Sequence, residues 1–131
     1  MAKLVHSMIR VRDEARSVAF YKQAFGLEPA ERLAFDDFTL VYLRNAETSF
    51  ELELTINRGR EKPYDLGDGY GHIAVVVDDL EGERKRLEDA GLSPGPLRQL
   101  ENAANPHAQF FFIQDPDGYN IEVNAREGRF A

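Results

Sequence analysis

One order of features runs through the chain and then runs through it again, and this repeat constrains the fold more than any single motif. The first pass reads "HSMIRVRD", "EARSVAFYKQAFGL", "FTLVYL" and "SFELELTIN", and the second reads "HIAVVVDD", "EGERKRLEDAGL", "AQFFFI" and "YNIEVN". Each pass is a strand, a helix and at least two further strands. Each helix has an acidic N-cap, Asp13 or Asp79, and a glycine just past its last turn, Gly26 or Gly91, suited to a left-handed C-terminal cap. Val18, Tyr21 and Phe25 recur at helical spacing in the first helix, and Leu80, Leu87 and Ala90 form a thinner stripe in the second. "DPDG", Asp115 to Gly118, supplies a tight turn into the last strand. A further strand in each half is expected near Ala30 to Ala34 and near Leu97 to Leu100. One such unit leaves a sheet face uncovered. Two units, side by side or exchanged with a second chain, would curl around a shared hollow.

At 131 residues and 43% hydrophobic content, the chain suffices for one compact domain or two small modules sharing a core. No apolar run approaches a membrane span, and "MAKLVHSMIR" does not read as a signal peptide, so a cytoplasmic location is expected. With no cysteine, disulfides and thiolate metal sites are excluded, and any metal must be held by imidazole and carboxylate. A net charge of −7 argues against a nucleic-acid or anionic-membrane surface. The one linker-like stretch is "NRGREKPYDLGDG", Asn57 to Gly69.

Strand alternation then sorts the polar residues. His6, Met8 and Arg10 share one face of the first strand. In "SFELELTIN", Phe50, Leu52, Leu54 and Ile56 pack under the helix, which turns Glu51, Glu53, Thr55 and Asn57 the other way. In the second half Ile73, Val75 and Val77 pack while His72 looks inward, and Tyr119, Ile121 and Val123 pack while Glu122 looks inward. The separation from His6 to Glu53 is 47 positions and from His72 to Glu122 is 50. A pseudo-twofold axis would gather both pairs. Two imidazoles and two carboxylates form a nitrogen and oxygen set for a divalent transition metal. An octahedral ion such as nickel would keep two positions open, whereas a tetrahedral structural zinc would be closed. A lone histidine at a strand start is ordinarily a satisfied core or surface residue, and a lone inward glutamate an ion-pair partner. The metal reading rests on four such residues in register across a repeat. His107, in "NAANPHAQ", is read as an ordinary loop histidine.

From Leu4 to about Asn124 the chain resembles the short bacterial glyoxalase I (lactoylglutathione lyase) branch of the vicinal oxygen chelate superfamily. "HSMIRVRD", "SVAFYKQAFGL", "ELTINRG", "YDLGDGYGHIAVVVDD" and "DPDGYNIEV" carry the resemblance. It implies an α+β fold of two tandem βαβββ modules, about 1–60 and about 68–131, in a single domain, with curved mixed sheets around a metal-binding cavity. It implies His6, Glu53, His72 and Glu122 as metal ligands, nickel before cobalt or zinc, and a homodimer with each site at the subunit interface. The implied reaction isomerises the methylglyoxal–glutathione hemithioacetal to S-lactoylglutathione by enediolate proton transfer. Glu122 would be the base and Glu53 its opposite number. Arg10 and Asn57 match residues that hold the glutathione part, and their plainer reading is a surface ion pair and a turn cap.

The loop "QLENAANPHAQ" has no lysine or arginine where relatives place a basic residue, and Asp68 is acidic where some relatives carry arginine. Arg58, Arg60 and Lys62 are the candidates to compensate for that charge. Other readings are a dioxygenase with a two-His, one-carboxylate iron site, a thiol transferase, and a non-catalytic small-molecule-binding dimer. The fourth ligand Glu53 counts against the first two, and the intact His and Glu set against the third.

Overall fold

The structure is a computed structural model that describes residues 1–100 and 108–131, so His107 and most of its loop lie outside the described residues. The chain divides into two compact units, Met1–Asp65 and Leu66–Ala131. The first holds β1 (His6–Arg10), α1 (Glu14–Phe25), β2 (Glu28–Ala34), β3 (Phe38–Arg44) and β4 (Glu51–Asn57). The second holds β5 (Ile73–Val77), α2 (Leu80–Asp89), β6 (Arg98–Leu100), β7 (Ala108–Gln114) and β8 (Asn120–Ala125), followed by a 3-10 turn at Gly128–Phe130. Each unit is thus βαβββ, and the fold is α+β. The expected extra strands are β2 and β6.

Both sheets are mixed and built alike. In the order β1-β4-β3-β2, β1 runs parallel to β4 while β4, β3 and β2 form an antiparallel meander. The order β5-β8-β7-β6 repeats this, with β5 parallel to β8. A parallel pair needs a long crossover, and the helix plus two strands supply it.

Local chemistry sets the helix ends. Asp13 is extended (φ −127°), and its carboxylate accepts from the Arg16 amide at 3.0 Å. Gly26 takes φ +65°, and its amide donates to Lys22 O at 2.9 Å. Asp79 caps α2 by accepting from the Gly82 amide at 3.0 Å. At the far end, Leu92 N–H donates to Leu87 O and Gly91 N–H to Glu88 O, a Schellman closure with Gly91 at φ +78°.

The buried faces match the alternation with five corrections, one being Ile56, which is half-buried at the end of β4. In α1 the buried residues are Ser17, Phe20, Tyr21 and Ala24, so the inner stripe is rotated from the expected one and Val18 and Phe25 lie at its margin. In α2 Leu80 and Leu87 are buried, but Ala90 at the helix terminus is exposed. Phe50 precedes β4 and is 38% exposed, because packing begins only where the ladder begins. Ile73, Val75 and Val77 are half-buried rather than buried. Leu52, Leu54, Val41, Leu43, Ile9 and Val11 form the buried set of the first sheet, and Phe111, Ile113, Ile121 and Val123 that of the second. In the β7–β8 turn the buried Asp115 carboxylate accepts from the amides of Asp117 (2.9 Å) and Tyr119 (3.0 Å).

Candidate active site and metal ligands

The parallel pairing of β1 with β4 decides what His6 can reach. In register, Met8 lies opposite Glu53, which in turn lies opposite Tyr42 of β3. His6, two residues before Met8, brings its Nε2 to 2.9 Å from Glu53 Oε2. The second sheet repeats the construction. Ala74 lies opposite Glu122, Glu122 opposite Phe112, and His72, two residues before Ala74, places Nε2 3.4 Å from Glu122 Oε2. Both His–Glu pairs thus arise within one sheet, at equivalent places of a repeated register. Among the described residues no group of three histidines or carboxylates clusters as a metal site, so the donors come as two pairs.

Glu53 is buried and Glu122 half-buried, and a buried carboxylate needs donors. Glu53 has two. Besides His6, the Tyr42 hydroxyl hydrogen-bonds to it. Burial, then that bond and the Glu53 charge, push the Tyr42 phenol up from its ordinary value. Each histidine also meets a ring edge-on: His6 lies 5.8 Å from Tyr42 at 74°, and His72 lies 5.5 Å from Phe112 at 70°. Tyr42 is not among the residues singled out from the sequence. Its signal was its parity in "FTLVYL", which puts it on the same face as Leu40, opposite a strand that carries Glu53.

Flanking the pairs, Arg44 Nε lies 3.6 Å from Glu51 in the first sheet, and Gln114 donates to Asn120 at 3.1 Å at the matching place in the second. Tyr70, two residues before His72, donates to Asn120 O at 2.9 Å and crosses Tyr119 edge-on at 5.0 Å, fixing the approach to β5. Burial, with the Asp115 charge behind it, pushes the Tyr70 phenol up to about 12.

Arg10 lies opposite Thr55 at the end of β1, and Asn57 Nδ2 donates to Tyr64 Oη at 3.1 Å. The basic residues after β4 are engaged in holding loops. Arg58 donates to Asp36 O (2.8 Å) and Phe35 O (2.9 Å), and Arg60 donates to Lys62 O (2.8 Å) and Pro63 O (3.0 Å) while lying over the Tyr64 ring at 4.2 Å. The Arg58 guanidinium thus braces the turn at 35–36 and that of Arg60 the 57–65 loop. Elsewhere in the unit, an open hollow is lined by Glu28, Pro29, Arg44 and Thr48, and it contains neither His6 nor Glu53.

The chain as a whole, built from two such βαβββ units, is similar to known proteins. Residues 3–123 match the Glyoxalase/Bleomycin resistance protein/Dioxygenase superfamily. A probable lactoylglutathione lyase from Synechocystis is 35% identical over 128 residues, covering 92% of each chain. The chain belongs to the glyoxalase I family. A lactoylglutathione lyase from Neisseria meningitidis is 36% identical over 124 residues, covering 92% of this chain and 88% of that one. Among solved structures, the trypanothione-dependent glyoxalase I of Leishmania major superposes with a TM-score of 0.76 at 31% identity, covering 95% of this chain and 87% of that one. The family is one of enzymes, and divalent metal ions serve it. The donors here fit such an ion: each pair offers one imidazole nitrogen and one carboxylate oxygen on a sheet face, without a competing cysteine. No helix among the described residues is long and apolar enough to cross a membrane.

Proposed function

We propose that this glyoxalase I family member is a metal-dependent lactoylglutathione lyase that isomerises the hemithioacetal of methylglyoxal and glutathione to S-lactoylglutathione. The observation that carries the reading is the repeated His–Glu pair, His6 with Glu53 and His72 with Glu122, at equivalent register in both units. Together these four groups would hold one divalent ion, nickel foremost, and the two modules of each chain would form a single domain. In the homodimer the family implies, each site draws the first pair from one subunit and the second from its partner.

A bound divalent cation supplies positive charge beside the two adjacent substrate oxygens, which acidifies the hydrogen on the carbon bearing sulfur. Glu122 removes that hydrogen as a proton and returns it to the neighbouring carbon. The hydroxyl-bearing carbon becomes the thioester carbonyl as its O–H proton is given up, and the former ketone oxygen takes up a proton to become the alcohol, so atoms balance without an oxidant. Glu53 faces the same carbons from the other side. Arg10 offers a planar fork to a substrate carboxylate, and Asn57, steadied by Tyr64, offers an amide.

A second reading keeps this chemistry and changes the thiol. It is favoured by Arg58 and Arg60, whose bonds to backbone carbonyls occupy N–H donors that would otherwise meet an anionic tripeptide. The test is thioester absorbance from methylglyoxal with glutathione, with a non-acidic thiol, and with none, after loading the metal-free protein with Ni²⁺ or Zn²⁺. Turnover with glutathione and Ni²⁺ supports the first reading, and turnover only with the other thiol supports the second. No thioester under any condition overturns both.

A further inference from the structure

The two His–Glu pairs occupy equivalent places, and the ring above each histidine occupies an equivalent place too, yet one ring carries a hydroxyl and the other does not. Tyr42 lies opposite Glu53 and edge-on to His6, while Phe112 lies opposite Glu122 and edge-on to His72, at closely similar centroid distances and angles. At the ring that faces each glutamate the half-sites differ by a single oxygen, and that oxygen hydrogen-bonds to Glu53. The consequences run in one direction. The Glu53 side chain is 11% exposed and sits 2.9 Å from its histidine, whereas the Glu122 side chain is 19% exposed and sits 3.4 Å from its own. Among the described residues Glu53 has two donors and Glu122 one, and a carboxylate with two donors has its plane and rotamer fixed while one with a single donor keeps a freer oxygen.

Resting on the function proposed above, we infer that Tyr42 is a positioning residue whose hydroxyl commits Glu53 to ligation, while the lack of a hydroxyl at Phe112 leaves Glu122 mobile enough to carry the proton. Two carboxylates that the repeat would make equal are thereby given different work. An outer hydrogen bond orients a ligand and raises its hold on the ion, whereas a proton carrier must pivot between two carbons.

Two reciprocal substitutions test this, Tyr42→Phe and Phe112→Tyr, each on the full chain. Ni²⁺ is titrated into metal-free protein by calorimetry, and kcat and KM are measured separately at saturating Ni²⁺. Tyr42→Phe is expected to weaken Ni²⁺ binding by about tenfold, the lower end for loss of an outer-shell partner, with KM within about twofold of wild type. Phe112→Tyr is expected to lower kcat by about tenfold, leaving KM and Ni²⁺ affinity unweakened, because the new hydroxyl would hold Glu122 still. Ni²⁺ affinity within about twofold of wild type in Tyr42→Phe, or an unchanged kcat in Phe112→Tyr, overturns the inference. A wild-type protein that takes up no Ni²⁺ instead overturns the ligand set itself, and the role of Tyr42 falls with it.

Discussion

Individual side chains carry the sharpest consequences. Glu122→Gln keeps most of its metal-binding atoms but no longer holds a base, so kcat is expected to fall at least about a hundredfold while Ni²⁺ uptake persists. His72→Ala removes a ligand, and uptake and turnover should fall together. Turnover near wild type in Glu122→Gln would take that residue out of the proton transfer. Tyr70 bears on stability instead. Its phenol ionises near 10 when unfolded and about 12 when folded, so the fold favours the neutral form. Its contribution is complete below pH 10 and is lost as pH rises from about 10 towards 12. Denaturant titrations across that window should show wild type losing stability faster than Tyr70→Phe. At pH 7 the variant should be about 1 kcal/mol less stable for want of the bond to Asn120 O. The pairing of His6 with Glu53 and of His72 with Glu122 was legible in the sequence because strand parity and the repeat singled those residues out. Tyr42 was not, since its role depends on which strand lies beside β4, and parity within one strand cannot say that.

At the scale of elements, capping competes with propensity at Gly82. An alanine there should stabilise α2 by about 1 kcal/mol on propensity alone. A Cβ at that position, however, would collide with the Asp79 carboxylate that caps the helix, and displacing a cap costs about 1 kcal/mol. The two effects oppose, so Gly82→Ala is expected within about 0.5 kcal/mol of wild type, whereas in an Asp79→Ala background the same change should recover the full propensity gain. Thermal denaturation of the four proteins in that cycle gives the coupling, and additivity would remove the collision from the account. Helix ends were readable because the cap residues act on amides only a few positions away. The buried stripe of α1 was less so, because which side of an aromatic-rich helix turns inward is set by the sheet beneath it.

For the whole molecule, the proposed sharing of sites between subunits has a numerical signature. One variant carries His6→Ala with Glu53→Gln, and the other carries His72→Ala with Glu122→Gln. Alone, each should be inactive. Unfolded together and refolded, they should form about half mixed dimers with one intact site in two, restoring about a quarter of wild-type turnover. No recovery despite mixed dimers would place all four ligands of each site on one chain. The α+β class and the doubled βαβββ order were legible because hydrophobic period and turn residues recur in sequence. The ladder order was not, because pairing β1 with β4 joins segments that are far apart along the chain. That pairing has an outcome reaching past this protein. Since every imidazole is handed its acid by the neighbouring ribbon of the same sheet, gene fusion or fission can redistribute the halves among polypeptides, and each half still arrives with its matched donors already in hand.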